Sequence, residues 1–143
     1  MGYESRLYVG TRLEYRDLNT NEVRFRAFIK EAEFDLGKMC DENFRTGSRI
    51  FNKPVDFKIN EYDMVKEISY DKERDVTTGE FVDSIDEDRY GDHLCYGTPE
   101  DVLDALIMAD KEYESPNLKR VIYYFQSLCS ANHENIIVVH YGY

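Results

Sequence analysis

The chain has 143 residues, 42% of them hydrophobic and 33% charged, the size and make-up of one folded domain and too apolar for a disordered acidic tail. Its longest apolar runs, such as residues 136–139, are far shorter than the roughly 20 residues that span a bilayer, and residues 1–6 lack the apolar core of a secretory signal. These features predict one cytoplasmic domain over residues 1–143 with no membrane association, and the widely spaced Cys40, Cys95 and Cys129 read as reduced thiols rather than a disulfide framework.

The formal net charge is -11, and it is unevenly placed. Residues 60–115 carry 18 acids against five bases, a net of -13, while the rest of the chain carries 11 acids against 13 bases, a net of +2. An acidic protein is repelled by phosphate backbones, so direct binding of duplex DNA is excluded as its main task. A concentrated acidic stretch suits a basic protein partner.

In chain order, residues 5–10 alternate polar and apolar and predict a strand. A polar turn follows at residues 17–21. Over residues 23–36 apolar side chains fall at 23, 25, 27, 29 and then 32, 34, 36; the phase change near residues 28–30 predicts a long strand interrupted by a bulge, because one extra residue swaps the faces. Residues 41–45 could form a helical turn. Short strands are expected at 55–59, within 64–70 and at 80–82, with acidic loop between them up to residue 92. Two helices have clear starts: Thr98 before Pro99, with Glu100 and Asp101 in the first turn, and Ser115 before Pro116. Residues 135–143 form a β-branched run that is apolar on both faces, which places this last strand inside a sheet. The expected class is α+β: an antiparallel or mixed sheet, two consecutive helices packed on one face, and the C-terminal strand inside the sheet.

Four segments, MGYESRLYV at 1–9, FDLGKM at 34–39, EDRYGD at 87–92 and VVHYGY at 138–143, together resemble a family of small uncharacterised proteins carried by phages and prophages of Gram-positive bacteria. The resemblance covers both termini and the centre, and this chain has a longer insertion over about residues 42–80. It implies a phage origin and carries over no catalytic residue.

Read for chemistry, the residues point to binding. There is no nucleophile elbow, P-loop or dinucleotide fingerprint. Aligning Asp86 and Asp88 with the first and third positions of a calcium loop puts Gly91 at the sixth, but Tyr90 at the fifth and Gly97 at the twelfth spoil the ligand set. His93 with Cys95, and Cys129 with His133, lack zinc-site spacing, so no metal or other cofactor is expected. Twelve tyrosines and no tryptophan supply amphipathic contact area. The leading expectation is therefore an inhibitor, anti-CRISPR-like or otherwise anti-defence, that blocks a basic nucleic-acid enzyme or defence effector in the host cytoplasm, with carboxylates imitating phosphates. Its candidate contact residues are Asp83, Asp86, Glu87, Asp88 and Asp92, Tyr90 as anchor, and Tyr124 as an exposed ring on the second helix. One alternative is a sponge for a nucleotide signal of host defence, using Arg6, Arg24 and Arg26. The other is a weak metal-dependent hydrolase using the acids of residues 86–92.

Overall fold

The computed structural model describes residues 3–39, 41–57, 59–60, 67–71, 76–80 and 84–143. Two long strands, β1 (Glu4–Arg16) and β2 (Val23–Lys38), pair antiparallel. In the turn between them the Asp17 carboxylate accepts from the backbone N–H groups of Asn19 and Thr20, the usual role of Asp in a turn. Val9 faces Ala32 while Gly10 faces Lys30, so Glu31 is an extra residue on β2. This is the expected bulge, placed just beyond the predicted residues. Gly10 sits where the strands crowd: a Cβ there would lie 2.2 Å from the Ile29 carbonyl oxygen. Gly10→Ala is expected to cost about 1–3 kcal/mol through overpacking, read from urea denaturation.

Six shorter strands follow: β3 (Lys53–Pro54), β4 (Ile59–Asn60), β5 (Glu67–Asp71), β6 (Val76–Glu80), β7 (Ser84–Ile85) and β8 (Cys95–Gly97). The helices are α1 (Pro99–Tyr113) and α2 (Pro116–Ser130), and the chain ends on β9 (Ile136–Gly142). The main sheet runs β2-β1-β9-β8-β3 with every neighbouring pair antiparallel. β4 pairs with β7 and β5 with β6. This is an α+β fold, with the C-terminal strand at the centre of its sheet.

The helix starts are as expected. The Thr98 hydroxyl accepts from the Asp101 N–H and the Ser115 hydroxyl from the Leu118 N–H. Val102, Leu106, Leu118, Val121, Ile122 and Phe125 bury against Leu7, Val9 and Val138 on one sheet face. On the opposite face Tyr8, Phe28, Ile137 and Val139 form a second core with Val55, Phe57 and Leu94. That second core explains a difference from expectation. Residues 55–57 leave the sheet instead of extending a strand, and the Phe57 ring stacks on Phe28 at 5.3 Å. The strand expected at 80–82 lies earlier, at 76–80, with 81–82 outside the described residues. No described helix is long and apolar enough to cross a membrane.

Candidate functional site

Three segments distant in sequence meet beside the C-terminal end of β9: the start of β1, the loop at residues 41–52, and the turn at residues 86–93. Their meeting point is His140, which has no solvent exposure. Its Nε2 lies 3.0 Å from the Ser5 hydroxyl and its Nδ1 3.0 Å from the Thr46 hydroxyl. Ser5 donates its own proton to the Phe44 carbonyl at 3.1 Å, so its oxygen accepts from Nε2–H and the imidazole is the neutral Nε2 tautomer. Burial, aided to a smaller extent by the charge of Arg45, pushes the His140 pKa down to about 3. Thr46 also reaches Asp88, whose Oδ2 it approaches to 2.9 Å.

Asp88 is buried, with 6% exposure, and organises the turn that contains it. Its Oδ1 accepts from the N–H groups of Tyr90 at 2.9 Å and Asp92 at 3.1 Å. Its backbone N–H donates to the Asp92 carbonyl and its carbonyl accepts from Gly91. Gly91 has φ +83°, a left-handed conformation that glycine adopts without a steric cost. Arg89 N–H donates to the Gly142 carbonyl, tying the turn to the end of β9.

What this frame presents outward is Tyr90, 53% exposed. Its ring stacks on Tyr3 at 5.1 Å. Tyr3 lies nearly parallel to the His140 ring, and the Arg45 guanidinium sits 4.0 Å from its ring centre. Glu87 and Asp92 are exposed in the same turn, and Asp86 is half-buried. Arg45 and Arg89 are exposed there too, so this surface is mixed in charge.

The predicted contact residues therefore separate. Glu87, Tyr90 and Asp92 share one exposed turn, and Asp86 stands at its base, where its carbonyl accepts from the Leu94 N–H. Asp88 belongs to the frame, because its carboxylate is consumed by the turn's own N–H groups and by Thr46. Asp83 lies outside the described residues. Tyr124 is not the exposed ring of α2: it packs 4.8 Å from Phe34 and 5.6 Å from Phe125, because β2 covers that flank of the helix. Tyr123, 67% exposed, is the outward residue.

The arginine set does not converge. Arg6 pairs with Glu33 and lies over the Tyr143 ring at 4.6 Å. Arg26 pairs with Glu14 and Asp56 near the other end of the same strand pair. Arg26 is opposite Glu14, eight residues along β1 from Arg6, or roughly 26 Å at strand spacing. Of Arg24 only the backbone, in β2, is described. Among the described residues no three His, Cys, Asp or Glu side chains are grouped to hold a metal ion.

The order Ser5, His140, Thr46, Asp88 has the look of a nucleophile with its base and orienting acid. Ser5 is fully buried and its proton is committed to Phe44, so the four residues act as an internal lock. The partners of His140 lie 94 and 135 positions away in the chain, a separation at which no local sequence signal could announce them. No family model, curated protein or solved structure matches the chain.

Proposed function

We propose that this chain is a phage-encoded binding protein that blocks a basic nucleic-acid enzyme or defence effector of its host, docking through the 86–92 turn. The observation that carries this reading is the Tyr90 ring, exposed on a turn held from inside by five hydrogen bonds to Asp88. A half-exposed aromatic supported by a second ring is a preorganised anchor. The flanking carboxylates of Glu87 and Asp92 supply attraction to a basic partner and a salt-sensitive approach.

Capture by the tagged protein from a Gram-positive host lysate tests the reading. The expected result is one basic nucleic-acid enzyme, identified by mass spectrometry, retained at low salt and released at high salt. The triple variant Glu87→Gln, Tyr90→Ala, Asp92→Asn is expected to lose that protein while keeping its unfolding midpoint, since none of the three side chains is part of the buried frame. Full retention by the variant would sink the proposal. Absorbance near 260 nm in the purified protein would instead favour nucleotide sequestration.

A further inference from the structure

We infer that the open cavity between the loop at residues 41–52 and helix α1 binds a small zwitterion, an α-amino acid with an apolar side chain. The cavity has a volume of about 500 Å³ and is lined by Glu42, Asn43, Ser48, Arg49 and Met108, a size within the range of small-molecule sites. The loop contains no helix or strand, yet it is fixed from within. The Asp41 carboxylate accepts from the Asn43 N–H at 2.8 Å, and the Ser48 hydroxyl donates to the Asn43 carbonyl at 2.7 Å. The Gly47 N–H donates to the Phe51 carbonyl at 2.9 Å. Phe44, Ile50 and Phe51 anchor the loop in the core. Compact loops of this length, packed by their own side chains, are frequently binding elements.

The lining selects the ligand. Glu42 and Arg49 are both exposed, and among the described residues neither side chain has an ion pair or a hydrogen bond. Arg45, in the same loop, differs: its guanidinium is spent on the Tyr3 ring. The half-buried Asn43 side-chain amide is likewise without a hydrogen bond among the described residues. Opposite charges that share a cavity without meeting leave room for a group that carries both. Glu42 repels a simple anion such as phosphate, and Arg49 repels a simple cation. A zwitterion satisfies the two together. Its carboxylate fits the planar fork of the Arg49 guanidinium, and its ammonium group donates to the Glu42 carboxylate. The Asn43 amide can serve either end, as donor or acceptor. Met108 is 64% exposed, turned away from the core into which α1 buries Val102, Ala105, Leu106 and Ala109. Its flexible thioether offers an apolar side chain a surface to pack on. The inference does not depend on what the 86–92 turn binds.

The test is titration of the full chain, labelled with nitrogen-15, with L-methionine and L-leucine, followed by amide NMR shifts. Saturable shifts confined to the 41–52 loop and the part of α1 around Met108 are expected. No saturable shift there up to high millimolar concentration overturns the inference. Two analogues check that both charges are read. N-Acetyl-L-methionine keeps the carboxylate and lacks the ammonium group, and L-methioninamide keeps the ammonium group and lacks the carboxylate. Each is expected to bind roughly tenfold more weakly than methionine, since each loses a charge-assisted hydrogen bond. Equal binding of the acetylated form would mean a plain anion site, and equal binding of the amide a plain cation site; either result refutes the zwitterion. Arg49→Gln and Glu42→Gln are each expected to weaken methionine by a similar factor, and undiminished binding in either folded variant would refute the assignment. Should a variant fail to fold by circular dichroism, the analogue series on the wild-type chain decides.

Discussion

Lowering the pH from 7.5 to 5 is expected to remove roughly 2 kcal/mol of folding stability through His140 alone, read as a fall in the urea midpoint. The unfolded chain takes up this proton near the ordinary histidine value of 6.5, whereas burial holds the folded imidazole neutral down to about 3. Between those values the folded state binds fewer protons. The contribution is therefore complete above pH 6.5 and is lost progressively as the pH falls toward 3. His133 works in the opposite direction. The Ala131 carbonyl and Glu100 raise its pKa, so its contribution is present below 6.5 and lost as the pH rises, but it sits at the surface, where solvent screens it. His140→Gln is expected to be less stable at pH 7.5 and to show a shallower slope. An unchanged slope in that variant would show that another group carries the acid sensitivity.

Local signals in this sequence were legible because their causes are local. Thr98 and Ser115 cap helices through N–H groups three residues away, and Pro99 and Pro116 follow each cap. The bulge in β2 showed as a phase change in apolar alternation, and the central place of β9 as apolar residues on both faces. β8 was missed because three residues carry no readable period. Tyr124 was expected to be the exposed ring of α2, but Phe34 of β2 packs on it and Tyr123 is the more exposed ring, because helical periodicity alone cannot say which flank a sheet will cover. The acidity of residues 60–115 was plain, but its layout was not. Described acids stand in the 86–92 turn, on the exposed side of α1 at Glu100, Asp101, Asp104 and Glu112, and in β5 and β6 at Glu67, Asp71 and Glu80. Arg6 and Arg26 looked like members of one set, yet strand geometry sets them at opposite ends of the β1–β2 pair.

Asp88→Ala is expected to cost about 3 kcal/mol, since it leaves the Tyr90 and Asp92 N–H groups and the Thr46 hydroxyl without their acceptor in a partly buried site. Loss of the turn is also expected to abolish the docking proposed for Tyr90, although Tyr90 itself is untouched. The neutral changes Glu87→Gln and Asp92→Asn, made at exposed carboxylates in the same turn, are expected to stay within about 0.5 kcal/mol of wild type. Urea denaturation of the three single variants separates a structural acid from exposed ones, and a wild-type midpoint for Asp88→Ala would refute the assignment of Asp88 to the frame. Asp88→Asn sharpens the test. With His140 neutral, Thr46 has one hydroxyl proton and two acceptors in reach, the Asp88 carboxylate and the imidazole Nδ1. An Asn side chain keeps an oxygen for the Tyr90 and Asp92 N–H groups and turns an N–H toward Thr46, which is then free to donate to His140. Every partner is satisfied in that arrangement, so Asp88→Asn is expected to cost less than about 1 kcal/mol. A cost for Asn as large as that for Ala would mean that the negative charge of Asp88, and not its hydrogen bonding, holds the turn.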